Sequence, residues 1–123
     1  MANILIVDDS GTSRRILRKI LEQAGHTVVG ESVNGEQGYL DYQKWNPDVV
    51  TLDITMPKMD GLEALRLIKK YDSDAIAIMI TAAGQKDKMI KAIKSGAAEF
   101  ISKPYEVSDV VRIIEKCIAG ESE

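Results

Sequence analysis

The sequence predicts an α/β domain in which five parallel strands form a sheet with helices on both faces. Three observations lead to this prediction. Short apolar runs alternate with amphipathic segments along the whole chain, a pattern typical of parallel sheets with helical crossovers. Capping residues and glycines mark the ends of the amphipathic segments. The length of 123 residues is that of one domain.

The five predicted strands are the apolar runs. They are Ile4–Val7, Val28–Val29, Val49–Leu52, Ile76–Ile80 and Phe100–Ile101. The second run is the weakest, because it is only two residues long and lies between Thr27 and Gly30. Strands buried on both faces are apolar throughout, so these runs fit the interior of a parallel sheet.

The five predicted helices are amphipathic segments. The first ends before Gly25 and the fourth before Gly96, while capping pairs begin the second and third, at Asn34 with Gln37 and at Asp60 with Glu63. The apolar positions of the five helices are, in order, Ile16, Leu17, Ile20, Leu21 and Ala24; Tyr39 and Leu40; Leu62, Leu65 and Ile68; Met89, Ala92 and Ile93; and Val107, Val110, Val111, Ile114, Cys117 and Ile118.

Composition gives no reason to expect a nucleic-acid or membrane partner. The net charge is −3 and the pI is about 5.2. The sequence has neither a long apolar run nor a signal-peptide pattern, and its single cysteine, Cys117, fits core packing in a reducing cytoplasm. His26 follows a turn glycine and is expected to be a solvated surface group. We expect a cytoplasmic protein with one domain, residues 1–119, and a frayed tail, residues 120–123.

Three aspartates stand at strand ends. Asp8 and Asp9 follow the first apolar run, and Asp53 follows Leu52 at the end of the third. One such aspartate is most simply a turn or helix-cap residue. A doublet with a matching third indicates a shared cation if the two strands are neighbours, because unpaired buried carboxylates cost several kcal/mol. Mg²⁺ prefers such oxygen ligands.

Two more polar residues are expected at the same edge. Thr81 ends the fourth strand, and Lys103 follows the fifth and precedes Pro104. In open parallel sheets, ligands bind beyond the carboxyl ends of the strands. Taken alone, Thr81 is explained by β-propensity and Lys103 by a solvated turn.

Four segments carry a family resemblance. They are Val7–Ser10, Leu52–Gly61, Ile80–Ala83 and Phe100–Pro104. In order and spacing they resemble the receiver domain of two-component response regulators, over nearly the whole chain. The resemblance implies a flavodoxin-like, doubly wound five-stranded sheet of order 2-1-3-4-5 with five helices. It also implies a cis peptide bond before Pro104.

The resemblance implies a role for each residue of the edge. Asp53 would accept a phosphoryl group from the phosphohistidine of a histidine kinase. Lys103, the Thr81 hydroxyl and the backbone N–H groups of Thr55 and Ala82 would hold the phosphoryl oxygens.

A metal site is implied as well. Asp9, Asp53 and the backbone carbonyl of Thr55 would ligate Mg²⁺, for which Mn²⁺ is a substitute, and Asp8 would act through a metal-bound water.

In this family the Thr81 hydroxyl is coupled to an aromatic residue of the fifth strand, here Phe100. Many members carry Tyr there, so an output contact through that oxygen is absent; ordinary core packing is the simpler explanation of Phe100. The output surface would be the fourth helix, fifth strand and fifth helix. Four lysines on or near the fourth helix fit an acidic partner peptide, or simply a solvated face: Lys86, Lys88, Lys91 and Lys94.

The sequence most resembles stand-alone chemotaxis receivers of the CheY type. It is therefore expected to be a monomeric signalling protein rather than an enzyme, although it would assist its own phosphorylation and dephosphorylation. Its partners would be a histidine kinase, an output protein such as a flagellar switch protein, and a phosphatase. A receiver that passes the phosphoryl group onward, as in sporulation control, is the nearest alternative.

Two alternatives belong to other classes of protein. A haloacid-dehalogenase-like phosphatase needs a second Asp two residues after its nucleophile, where this chain has Thr55. A flavodoxin-like FMN carrier needs a Ser/Thr/Gly-rich loop after the first strand, where Asp8 and Asp9 would repel a phosphate.

Overall fold

The computed structural model of the chain describes residues 1–120. Five strands and five helices alternate: β1 (Asn3–Val7), α1 (Gly11–Gln23), β2 (Thr27–Ser32), α2 (Gly35–Trp45), β3 (Val49–Asp53), α3 (Gly61–Tyr71), β4 (Ala77–Thr81), α4 (Lys86–Lys94), β5 (Glu99–Ser102) and α5 (Val107–Ile118). The strands form one parallel sheet of order β2-β1-β3-β4-β5, so the predicted fold class and strand order are confirmed. Of the predicted tail, residues 121–123 lie outside the described residues.

The sheet separates two apolar cores, because alternate side chains of a strand point to opposite faces. Ile4 and Ile6 of β1 point to the side covered by α1 and α5. Leu5 and Val7 point to the side where α2 and α3 pack. All four side chains are essentially inaccessible to solvent.

The second strand is longer than its apolar run predicted. β2 extends to Ser32, because its backbone pairs with β1 from Asn3↔Thr27 to Val7↔Ser32. The register shifts between Ile4 and Leu5, which accommodates an extra residue of β2. Backbone pairing with a buried neighbour therefore set the length of this strand, whereas side-chain hydropathy did not.

The helix starts agree with the predicted capping pairs. Asn34 accepts a hydrogen bond from the backbone N–H of Gln37 at 2.8 Å, and Asp60 accepts one from that of Glu63 at 3.0 Å. Ser10 caps α1 in the same way, accepting from Ser13 N–H at 3.2 Å.

Several predicted apolar faces are wider than the buried faces. The exposed members are Ile16, Leu40, Ile93, Val107 and Ile118. Each helix packs on the sheet through a strip narrower than its apolar stripe, so residues at the margin of the stripe face solvent. In α2 the buried large side chain is Tyr42, whose hydroxyl donates to Asp72 at 2.9 Å.

The expectation that His26 is solvated is wrong. His26 is only 5% exposed. Its Nδ1 accepts a hydrogen bond from the backbone N–H of Ala2 at 3.1 Å, and its Nε2 lies 2.8 Å from Glu115 Oε2. The turn after α1 folds back along the amino end of β1, where Thr27 N–H donates to the Ala2 carbonyl. This return places the ring against α5.

Cys117 is buried, as its place on the apolar stripe of α5 predicted. Burial raises the pKa of its thiol to about 11. Within residues 1–120, none of the helices is long and apolar enough to cross a membrane.

Candidate functional site

The three aspartates singled out in the sequence meet at the carboxyl edge of the sheet. Asp53 is the last residue of β3, and Asp8 and Asp9 come directly after the neighbouring strand β1. One carboxylate oxygen from each residue lies within 4.8 Å of those of the other two. β1 and β3 are neighbours in the sheet, as a cation shared by the three aspartates requires.

The three carboxylates differ in burial and in partners. Asp8 is buried, its Oδ1 accepts a hydrogen bond from Ser10 N–H at 2.9 Å, and its Oδ2 lies 3.6 Å from Lys103 Nζ. Asp53 is partly buried and Asp9 is exposed. In the described part of the chain, Lys103 is the only cationic side chain within 4 Å of these carboxylates. The pocket therefore holds more negative than positive charge.

This imbalance acts on Asp53. Burial, followed by repulsion from Asp8, raises the pKa of Asp53 to about 6, against the opposing effects of Lys103 and the backbone N–H of Thr55. A bound cation or loss of its own charge would therefore stabilise Asp53 in this pocket.

The loop after β3 is packed tightly under Asp53. A Cβ on Gly61 would lie 2.2 Å from the Asp53 carbonyl oxygen, so only glycine fits there. The Gly61 N–H donates to the Ile54 carbonyl at 2.8 Å, and Ile54 is fully buried. These contacts fix the end of β3 and leave Thr55 exposed at the mouth of the pocket.

Thr81 and Lys103 also reach this edge. Thr81 ends β4 one residue after Ile80, the partner of Asp53 in the sheet, and Lys103 follows β5. The peptide bond between Lys103 and Pro104 is cis, as the resemblance implied. The Lys103 ammonium also lies 3.5 Å from the hydroxyl of Ser13 in α1.

The Thr81 hydroxyl is buried and contacts the Ser102 hydroxyl at 3.2 Å. Phe100 is paired with Met79 in the sheet and packs, partly buried, against the core on the α2–α3 side. The two residues of the expected switch thus lie on adjacent strands. Phe100 is two residues before Ser102, the residue of β5 that pairs with Thr81.

Sequence reasoning did not single out four residues as parts of this edge. They are Ser13, Arg14, Gln85 and Ser102. Arg14 donates to the Asp8 carbonyl at 2.8 Å, and Gln85 bonds to the loops after β3 and β4. Their contacts bridge separate elements, so hydropathy and local spacing contain no indication of them.

The donor set fits a hard divalent cation. Three carboxylates converge, one is buried, one has a raised pKa, and a single ammonium offsets them. Oxygen ligands with excess negative charge are what Mg²⁺ takes from proteins.

An open parallel sheet with an acidic pocket beyond the carboxyl ends of two neighbouring strands is the arrangement that the resemblance to receiver domains implied. Residues 4–115 match the family described as the response regulator receiver domain. The chain belongs to this family.

Within the family, the chain is similar to chemotaxis proteins. It is 44% identical to the chemotaxis protein CheY of Thermotoga maritima, covering 92% of this chain and 94% of the relative. It is 45% identical to the chemotaxis protein CheY of Bacillus subtilis, covering 94% and 96%.

Solved structures agree. A response regulator receiver domain protein from Clostridium thermocellum has a TM-score of 0.92 at 32% identity, covering 98% of this chain and 97% of the other. The crystal structure of the CheX–CheY–BeF3–Mg complex from Borrelia burgdorferi has a TM-score of 0.89 at 37% identity, covering 94% and 87%.

Proposed function

We propose that the chain takes a phosphoryl group from a histidine kinase onto Asp53 and thereby switches its binding to other proteins in chemotaxis. The observation that carries this proposal is the convergence of Asp8, Asp9 and Asp53 within 4.8 Å, with Lys103 beside them. Membership of the receiver family and the similarity to CheY proteins support it.

The reaction needs one nucleophile and positioned donors. A carboxylate oxygen of Asp53 attacks the phosphorus, the P–N bond breaks, and its electron pair stays on the imidazole nitrogen of the kinase histidine. Lys103 and the Thr81 hydroxyl would bind the transferred oxygens, together with the N–H groups of Thr55 and Ala82. Charge spread over phosphoryl oxygens needs such donors more than it needs covalent help.

Asp9, Asp53 and the Thr55 carbonyl would hold Mg²⁺ directly, and Asp8 would act through a bound water. When bound, the ion would neutralise charge on the phosphoryl oxygens and among the carboxylates, and Mn²⁺ would substitute for it. Asp8 already has two partners, Ser10 N–H and Lys103, which fits its more indirect role. Asp9 is exposed and can turn toward an ion.

The output would be a change of partner, at a surface formed by α4, β5 and α5 on the receiver unit of residues 1–119. The four lysines of α4 would suit an acidic segment of a flagellar switch protein. The related CheY from Borrelia burgdorferi was solved in a complex with CheX, BeF3 and Mg, so a relative binds a further protein in such a state. We propose a phosphatase as a further partner of this chain. We expect a cytoplasmic monomer that signals and is not itself a metabolic enzyme.

The test is phosphorylation by a small donor. With Mg²⁺ and acetyl phosphate, intact-mass measurement should show one added phosphoryl group, and Asp53→Asn should lose it. Asp48→Asn is the matched control, because Asp48 lies at the opposite edge and accepts from Asn3 N–H at 2.8 Å. Full labelling of Asp53→Asn would overturn the assignment.

The chemotaxis role has its own test. A purified flagellar switch segment should bind the protein more tightly with beryllofluoride and Mg²⁺ than without them. If instead phospho-Asp53 transfers its group to a second histidine protein, a phosphorelay role is supported over a chemotaxis role.

A further inference from the structure

Gln85 spans the mouth of the pocket. It is the last residue before α4, and its side chain does not cap that helix. Its amide oxygen accepts a hydrogen bond from Ala82 N–H at 2.7 Å, and its amide nitrogen donates to the Thr55 hydroxyl. The side chain therefore ties the loop after β4 to the loop after β3, 30 residues away in sequence.

One of these contacts uses a group that phosphorylation needs. The following step rests on the proposed function, in which the Ala82 N–H is one of the donors for the phosphoryl oxygens. A single N–H makes one strong hydrogen bond, so the Gln85 oxygen and a phosphoryl oxygen compete for it. A charged oxygen is the stronger acceptor and should win this competition.

We propose that Gln85 is a latch, which holds the two loops together before phosphorylation and is displaced by the phosphoryl group. Displacement frees a side chain at the start of α4, so the event at Asp53 is passed to this helix by a route separate from Thr81 and Phe100. Gly84 of this loop lies in open space, because nothing lies within 4 Å of a Cβ built there. Neighbouring atoms therefore do not block a shift of the loop at this point.

The first test is the affinity for beryllofluoride, measured by titration calorimetry in excess Mg²⁺. Gln85→Met keeps the size of the side chain and removes both hydrogen bonds, so it should bind beryllofluoride about fivefold more tightly, the value of about one hydrogen bond. Gln85→Ala should act in the same direction. Gln23→Ala, at an exposed glutamine near the end of α1, should leave the affinity unchanged.

A double-mutant cycle tests the bridge itself. Thr55→Val removes the hydroxyl that Gln85 contacts and should tighten binding about twofold to threefold. The double variant Thr55→Val/Gln85→Met should then match Gln85→Met alone, because both changes break one bridge. Additive effects would mean that the two residues act independently, and would overturn the latch.

A readout without any phosphoryl group separates the latch from a general structural effect. In the metal-free protein, the NMR signal of the Ala82 amide proton should move upfield in Gln85→Met. The side-chain amide signals of Gln85 should move in Thr55→Val. Unmoved signals would show that the bridge does not form in solution.

Failure of the latch is distinguishable from failure of the proposed function. If the wild-type protein is labelled at Asp53 and both Gln85 variants bind beryllofluoride with unchanged affinity, the latch alone is wrong. If the wild-type protein is not labelled, the proposed function is wrong and the latch falls with it.

Discussion

The ionisable groups at the two edges of the sheet differ in how well partners within the protein satisfy them. At the amino edge, His26 is buried with both ring nitrogens bonded, one to the Ala2 N–H and one to Glu115. At the carboxyl edge, Asp8, Asp9 and Asp53 converge with only Lys103 close by in the described chain. Both edges belong to the same sheet, so the difference lies in the partners that the surrounding elements supply to each group.

A polar group that is satisfied within the protein contributes to stability, whereas one left short of partners lowers stability and is available to a ligand. Burial and then repulsion from Asp8 raise the pKa of Asp53, and Lys103 and the backbone N–H of Thr55 only partly offset them. The groups at the amino edge therefore stabilise the fold, whereas those at the carboxyl edge are available to bind a ligand. Four predictions test this contrast, starting with the largest expected effect.

Two glycines make a matched pair across the edges. Gly61→Ala should lower the free energy of unfolding by about 3 kcal/mol and slow labelling of Asp53, because its Cβ would collide with the Asp53 carbonyl. Gly25→Ala, where φ is +93° but the surrounding space is open, should lower stability by only about 1 kcal/mol and leave labelling unchanged. Urea unfolding and intact-mass kinetics measure both. Equal effects on labelling would contradict the contrast.

The second prediction concerns pH in EDTA. The pKa of Asp53 is raised from 3.8 to about 6 on folding, so the unfolded chain loses its proton first and stability falls as pH rises through this range. The shift corresponds to roughly 3 kcal/mol, which solvent screening at a partly buried group reduces to about 2 kcal/mol. Asp53→Asn should remove this fall and be the more stable protein at pH 7. The measurement is the free energy of unfolding in urea as a function of pH for both proteins. Curves that run parallel would contradict this prediction.

Third, the amino edge should affect stability without affecting chemistry. His26→Ala leaves the Ala2 N–H without its acceptor and should lower stability by about 1 to 2 kcal/mol, while Asp53 is labelled at the normal rate. Glu115→Gln retains an acceptor for the ring and should change stability much less. Impaired labelling in a folded His26→Ala protein would show that the two edges are coupled.

The smallest expected effect is that of the metal. Mg²⁺ at ten times its dissociation constant should stabilise the protein by about 1.4 kcal/mol. Asp9→Ala should lose more of this gain than Asp8→Ala, since Asp9 is expected to be a direct ligand and Asp8 an indirect one. Thermal unfolding with and without Mg²⁺ measures both. An unchanged gain in both variants would place the ion elsewhere.

Much of the site was predictable because its signals are local. Asp8, Asp9 and Asp53 each follow an apolar run, and parallel strands end at a common edge. The caps at Asn34 and Asp60 were predictable for the same reason, because a cap and its partner are three residues apart. The strand order came from family resemblance, since alternation fixes a parallel sheet but not the order of its strands.

Other features depended on contacts between distant parts of the chain. His26 reads as a turn residue until Glu115, 89 positions later, and Ala2 close over it. Gln85 reads as a polar residue before a helix until Thr55 lies across from it. The extent of β2 likewise depended on pairing with β1.

The sequence by itself determined the fold class, an acidic pocket at strand ends and the receiver family, because hydropathy period, capping and motif spacing act over a few residues. Only the tertiary structure decided which polar groups have hydrogen-bond or charge partners within the protein and which lack them. That balance is a sum of burial and partner distances over residues far apart in the chain. It made His26 a structural residue, raised the pKa of Asp53 and placed Gln85 across the site.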